Sequence, residues 1–442
     1  MRLAARLAAA VVAIATAAAA PASPVLLISL DGLRPGEVID AQARGLKLPN
    51  LTALARQGAY ASGVTGVLPT LTYPSHTTLI TGVSPGRHGI GNNLTYDPLV
   101  QNQIGWFWYA SDIKVPTLWE AAHAAGLKTA NIHWPVSVAA RGVDENLPQI
   151  WRTGTADDRK LMAALATPGL LPPLEAQLGP YAQGIDETAE GDAVRVRYAA
   201  AILARDHPAF TTIYLAGIDH QEHHDGPGSP EANAVIERTD ALVGELVAAA
   251  RKAMPDITIA VVSDHGFLPV AHDVNLFRPF IGAGLITLGA DGKVSGWEAE
   301  PWIAGGTAAI VLARPQDAAL RAKVAGVLAA IAADPANGIA AILDEAEVRR
   351  RGGPAEASFM IAMKPGFETG HDPAAAMVTP SSYHGMHGYL PDLPEMRSTL
   401  IVAGPALARH GDLGVIDMRS IAPSLARILG AKLPSAELPP TF

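Results

Sequence analysis

The chain has 442 residues, with 33 Lys+Arg against 42 Asp+Glu and a formal net charge of −9. Hydrophobic residues make up 49% and charged residues 17%, enough apolar surface to offset chain entropy, so low-complexity disorder is excluded. The acidic balance, with no Lys/Arg-rich run, speaks against binding of nucleic-acid polymers, and the absence of Cys excludes disulfides, thiolate catalysis and Cys-based zinc sites.

In chain order, Arg2 and Arg6 precede the Ala-rich apolar run Leu7 to Ala20, and Ala20-Pro21-Ala22 offers a small-x-small cleavage pattern. Residues 1–22 read as an export signal with an apolar run shorter than the roughly 20 residues of a spanning helix. The expected address is periplasmic or secreted, with no transmembrane segment in the mature chain. The first predicted strand is Val25 to Leu30, stopping at Asp31-Gly32. Leu48 to Gly58 reads as a helix, Thr77 to Gly82 as a short helix, and Pro116 to Gly126 as another with Pro at its start and Gly at its stop. Strands follow at 128–133 and 211–215, with a helix at 192–205 between them. A long helix from about Pro230 to Lys252 leads into the strand 257–262. The chain closes with a strand at 399–403 and a helix around Ser420 to Leu429. Apolar β-branched runs alternating with helical stretches predict an α/β fold with a mixed, mostly parallel sheet covered by helices on both faces. Residues 23–442 are expected to form one domain. The less regular stretches at about 145–190 and 268–380 are expected to be insertions that form a cap.

Three apolar strands run toward an acid: Asp31, Asp219 and Asp264. The carboxyl ends of strands in an open α/β sheet form the ligand crevice, so these acids can converge there although each alone reads as a turn or cap. Asp219 and His223 stand four apart, on one face if the segment is helical. Asp264 adjoins His265, and His387 lies in His384-Gly385-Met386-His387-Gly388-Tyr389. Imidazole mixed with carboxylate suits zinc, whereas Mg and Ca prefer oxygen donors alone. Thr72, within Leu68-Pro69-Thr70-Leu71-Thr72-Tyr73-Pro74-Ser75-His76, is the nucleophile candidate if a metal or base takes its proton; otherwise it is a helix cap.

Taken together these segments resemble the nucleotide pyrophosphatase/phosphodiesterase family of the alkaline phosphatase superfamily. The resemblance rests on Asp31-Gly32-Leu33-Arg34, Pro69 to His76, Thr81-Gly82 through His88-Gly89-Ile90 to Asn92-Asn93, and Trp134-Pro135-Val136-Ser137. It continues through the Asp219/His223 pair, Ser263-Asp264-His265-Gly266 and His387-Gly388-Tyr389, in the family's order. It implies an alkaline phosphatase-like fold and two zinc ions per chain, one held by Asp31, Thr72, Asp264 and His265 and the other by Asp219, His223 and His387. It further implies in-line attack by Thr72 on a small phosphodiester or pyrophosphate substrate, through a covalent phosphoryl-enzyme intermediate. Asn93 and the Thr72 backbone N–H would donate to a nonbridging oxygen, and Tyr73 with Trp134 or Trp151 would hold one ester substituent of the substrate by stacking.

Two departures from the family pattern bear on the substrate. Tyr73-Pro74-Ser75-His76 stands for the usual Phe-Pro-Asn-His, and Leu215-Ala216-Gly217-Ile218 replaces an acidic run before Asp219. A sulfatase is excluded, because its formylglycine arises from Cys or Ser. A phosphomonoesterase with the same Thr and metals, a phospholipid head-group phosphodiesterase, and a noncatalytic zinc- or nucleotide-binding protein are the alternatives. Against the monoesterase, no Lys or Arg lies between Lys128 and Arg141, where a phosphate-binding basic pair is expected. Arg34 and Arg87 are expected to be structural or surface residues, and diesters to be cleaved faster than monoesters.

Overall fold

The structure is a computed structural model that describes residues 22–99, 105–151 and 156–442. All but the last residue of the expected export signal lies outside them. No helix among the described residues is long and apolar enough to cross a membrane.

The central sheet has eight strands, centred on Val25–Leu30 between Phe210–Leu215 and Thr258–Val262, all three parallel. Thr129–Ile132 and Glu145–Leu147 extend it in parallel on one side. On the other side Leu400–Ala403 runs antiparallel to Thr258–Val262, followed by the short strands Ala59–Tyr60 and Gly411–Asp412. The sheet is therefore mixed and mostly parallel, as the alternation of strands and helices predicts. Every residue of Val25–Leu30 is buried, which is why this strand reads as an unbroken apolar run and not as an alternating one.

Side chains leave the sheet alternately toward two apolar layers. Leu26, Ile28, Leu30, Ile213 and Val261 point into one, packed by the helices Pro49–Gln57, Ala189–Asp206 and Pro230–Ala253. Val25, Leu27, Tyr214 and Val262 point into the other, packed by Thr72–Thr81, Leu118–Ala124 and Ile421–Leu429. Burial of each such aliphatic side chain contributes about 1.5–3 kcal/mol.

The stretch 268–380 carries a second, antiparallel sheet in the order Ala299–Ala304, Thr307–Leu312, Phe359–Met363, Ile339–Asp344. It has its own apolar cluster, including Ile310, Val324, Leu328 and Ile361. The stretch 145–190 supplies the edge strand Glu145–Leu147 and the helices Asp158–Leu165 and Leu171–Leu178.

One helix differs from the sequence expectation in a way that matters for the site. It runs Thr72–Thr81 and not from Thr77, so Pro74 sits in its first turn. Proline is tolerated there because first-turn N–H groups have no acceptor within the helix. Thr72 is thereby the first helical residue, at the end where backbone N–H groups and the helix dipole favour an anion.

Candidate active site

Asp31 follows Val25–Leu30, Asp219 lies on the helix Gly217–Asp225 that follows Phe210–Leu215, and Asp264 follows Thr258–Val262. Because these are the three central strands, the acids meet at one edge of the sheet. The ligand-capable atoms of Asp31, Asp219 and His265 lie within 4.8 Å of one another, as do those of Asp219, His223 and His387. Asp219 thus faces both groups, where the family pattern assigns it to the second alone. Asp264 Oδ2 stands 3.2 Å and Asp31 Oδ1 3.3 Å from His265 Nε2. Asp219 Oδ1 is 3.5 Å from His223 Nε2 and 3.6 Å from His387 Nε2. The Thr72 hydroxyl is 3.5 Å from His265 Nε2.

Each imidazole is oriented by the backbone. His223 Nδ1 donates to the Gly385 carbonyl at 2.9 Å, His387 Nδ1 to that of Thr70 at 3.1 Å, and His265 Nδ1 to that of Gly266 at 3.3 Å. A carbonyl only accepts, so Nδ1 carries the proton and Nε2 keeps its lone pair, the arrangement of a metal-ligating imidazole. Burial holds all three rings neutral, His223 down to about 4 and the other two well below their usual value. The rings of His265 and His387 stack 3.7 Å apart, a contact that two charged imidazoliums would oppose.

The carboxylates are prepared in the same way. Asp31 Oδ2 accepts the Tyr214 hydroxyl, while Asp264 Oδ1 accepts the N–H groups of Gly32 at 3.2 Å and His265 at 3.1 Å. What remains is Asp31 Oδ1, Asp264 Oδ2 and Asp219 Oδ1, all buried and without a hydrogen-bond partner. Burial pushes Asp31 up to about 7. Burial first, then the Asp31 charge, pushes Asp219 and Asp264 well above the carboxylate range. Orphaned, mutually repelling carboxylate oxygens beside neutral Nε2 atoms are a donor set that divalent cations satisfy.

A cavity of about 480 Å³ opens over this floor, lined by Asp31, Thr72, Tyr73, Asn93, Asp219, His223 and His387 among others. Asp264 and His265 lie fully buried beneath it. Asn93 Oδ1 accepts the Tyr73 N–H at 2.9 Å, which leaves its amide NH₂ for the cavity.

The aromatic candidates fare differently. Tyr73 borders the cavity, but it is 1% exposed and its hydroxyl is held by Gln149 and by Trp151 Nε1. Trp134 is a correction: it is fully buried, donates to the His76 carbonyl at 3.3 Å, packs edge-on against the His76 ring, and does not line the cavity. Its place on the wall is taken by Trp106 and Trp151, stacked with centroids 4.2 Å apart. Trp106, Tyr214, Tyr383 and Glu187 line the cavity without any motif having marked them. Arg34 is engaged by Glu37 and by buried Glu222 at 3.0 Å, and half-exposed Arg87 by Glu437 at 3.4 Å. Neither lines the cavity, and no Lys or Arg does among the described residues.

A mixed sheet with three acids at its carboxyl edge and a helix-initial Thr above them defines an alkaline phosphatase-like fold. The chain belongs to the type I phosphodiesterase / nucleotide pyrophosphatase family, whose sequence profile matches residues 25–390. It is 28% identical over 254 residues to an uncharacterized pyrophosphatase/phosphodiesterase of Schizosaccharomyces pombe, covering 56% of this chain and 46% of that one. To human ectonucleotide pyrophosphatase/phosphodiesterase family member 1 it is 26% identical, covering 55% and 23%. The chain thus spans less than half the length of these curated relatives. Among solved structures, murine ectonucleotide pyrophosphatase/phosphodiesterase 5 shares the fold with a TM-score of 0.67 at 19% identity, covering 94% of this chain and 96% of that one. An inactive variant of that murine protein has been solved in complex with AMP.

Proposed function

We propose that the protein is an exported, two-zinc hydrolase that cleaves phosphodiester or pyrophosphate bonds in nucleotides or related small molecules through a phosphorylated Thr72. The observation that carries this reading is the Thr72 hydroxyl at the first residue of a buried helix, 3.5 Å from Nε2 of His265, a member of one of two adjoining groups of metal donors. Zinc held by Asp31, Thr72, Asp264 and His265, and by Asp219, His223 and His387, would ease ionisation of the Thr72 hydroxyl and offset charge on the phosphate and leaving oxygen. Thr72 Oγ1, having lost its proton to solvent, attacks phosphorus in line. The bond from phosphorus to the leaving oxygen breaks, and that oxygen takes a proton from solvent. Water then cleaves the phosphothreonine ester, restoring the hydroxyl and releasing a phosphomonoester. Asn93 Nδ2 and the Thr72 N–H donate to a nonbridging oxygen as charge builds there. The Trp106–Trp151 stack supplies an apolar wall for an ester substituent. The nucleotide substrate class is supported by family membership, by the AMP complex of the murine neighbour and by a cavity of about 480 Å³. Export is proposed from the signal pattern of residues 1–22, and a cap role for the stretches 145–190 and 268–380 from their irregular sequence, with Trp151 and Glu187 of the first stretch on the cavity wall.

Diesters are favoured over monoesters because no Lys or Arg among the described cavity residues meets the second charge of a monoester. Thr72→Ala is expected to abolish turnover of bis(4-nitrophenyl) phosphate while zinc content stays near two per chain. Thr72→Ser should keep a substantial fraction, since the hydroxyl survives. An Ala variant within about tenfold of wild type, a loss of only ~1.4 kcal/mol, would reject Thr72 as the nucleophile.

A further inference from the structure

Glu187 is a cavity residue that neither metal group uses. It occupies the turn between the 3-10 helix Tyr181–Ile185 and the helix Ala189–Asp206, and lines the cavity beside Asp31, Thr72, Tyr214 and Asp219. Among the described residues its carboxyl makes no hydrogen bond and no ion pair. It shares the cavity wall with Tyr73, Tyr214, Asp219 and Tyr383, which come from separate elements.

The turn is held rigidly. Buried Arg195 donates to the carbonyls of Gly184, at 2.9 Å, and of Asp186, and pairs with Asp192 at 2.7 Å. Asp192 in turn accepts the N–H groups of Ala216 and Gly217, each at 2.9 Å, at the start of the helix that carries Asp219 and His223. A Cβ on Gly217 would meet Asp192 Oδ2 at 2.7 Å and the Ala189 N at 2.9 Å, so the helix start that follows Glu187 lies directly on that helix. The chain thus fixes a carboxyl on the cavity wall with those of Asp31 and Asp219, a placement that opposes folding and that no contact among the described residues offsets.

We propose that Glu187 is a specificity-determining residue whose negative charge turns phosphate dianions away from the cavity, so that phosphodiester monoanions are accepted over phosphomonoesters. This rests on the reading of the cavity as a phosphodiester site. Both substrate classes meet the same metals, Thr72 and Asn93, and they differ by one charge on phosphorus. Apposition of like charges in a partly desolvated cavity changes affinity by about tenfold or more. The acidic run that this chain lacks before Asp219 leaves small residues at 216 and 217, and the helix start that follows Glu187 packs on that backbone.

The test compares bis(4-nitrophenyl) phosphate with 4-nitrophenyl phosphate on the zinc-loaded protein at about pH 9, chosen because burial raises the Glu187 carboxyl above its usual range. Glu187→Gln removes the charge and keeps the shape; Glu187→Ser is a second neutral variant, and Glu187→Asp keeps the charge. Both neutral variants should raise the monoester-to-diester ratio of kcat/KM about tenfold and tighten binding of inorganic phosphate, read by calorimetry, by a similar factor. Glu187→Asp should stay near the wild-type ratio. A ratio within about twofold of wild type in a neutral variant, or equal losses on both substrates, would overturn the assignment. Wild-type turnover of the diester separates the two readings. Without it the phosphodiesterase reading falls, whereas with it an unmoved ratio removes Glu187 alone.

Discussion

At Asn93 one amide is divided between two tasks. Its oxygen is fixed by the Tyr73 N–H at 2.9 Å, so its NH₂ points where a nonbridging oxygen would lie without having to reorient as charge develops. Asn93→Ala should therefore lower kcat by about 10²–10³, with KM and zinc content changed far less, because the donor is realised mainly in the transition state. Steady-state kinetics on bis(4-nitrophenyl) phosphate would check this, and an unchanged kcat would remove Asn93 from the site. Residues of this kind were legible in the sequence. Asp31, Asp219 and Asp264 are each preceded by a strand, and His223, His265 and His387 stand in short motifs whose spacing is itself the geometry. Trp134 shows the limit. It belongs to a motif next to a strand end, but its side chain turns into the apolar layer under the sheet, where His76 and Trp119 also lie buried. Trp106 and Glu187 come from segments without periodicity, and nothing in their local sequence says which way they face.

Among the elements, strands and long helices were readable to within a few residues, since their apolar periodicity is set by the layers they pack into. The helix Thr72–Thr81 was not, because all ten of its residues are buried and it presents no amphipathic stripe. Two of its threonines are satisfied locally instead: Thr77 donates to the Tyr73 carbonyl at 2.8 Å and Thr81 to the Thr77 carbonyl at 2.7 Å. His76 bridges the Thr72 carbonyl and the Ser29 hydroxyl, each at 2.8 Å. The turn before Ala189–Asp206 is tied down by the guanidinium of Arg195. Arg195 and Asp192 are both fully buried and pair with each other. Arg195→Ala would leave Asp192 charged and unpaired and strip the Gly184 and Asp186 carbonyls of their donor. The expected cost is about 3–5 kcal/mol, read as a lowered urea midpoint. A loss below ~1 kcal/mol would mean that the pair is not what holds this turn.

At the scale of the whole molecule, the site draws its donors from positions 31 to 387, and the central sheet alone does not complete it. Three acids come from adjacent strand ends, but His387 arrives on the segment that returns from the second sheet. That segment is tied to the nucleophile loop through the Thr70 carbonyl, which accepts from His387 Nδ1 at 3.1 Å and from the Gly388 N–H at 3.0 Å. Thr70 Oγ1 also donates to the Tyr389 carbonyl at 2.8 Å. Gly388 has φ +82, and a Cβ there would meet the Ala304 carbonyl oxygen at 2.0 Å, so the second sheet presses directly on the segment that presents His387. Ions held by these donors would join both parts of the fold and bind the native chain far better than the unfolded one, in which the donors are scattered. Such a ligand at 100-fold excess over its Kd stabilises the native state by about 2.7 kcal/mol. The zinc-loaded protein should therefore lose ~5 °C in Tm on exhaustive chelation and regain it with zinc, as followed by calorimetry. Thr72→Ala should keep most of that difference, because Asp31, Asp264 and His265 still converge on one position. His387→Ala should lose a large part of it, because only Asp219 and His223 then remain on the second. Identical melting of the loaded and chelated wild type would reject ion binding as a link between the two sheets.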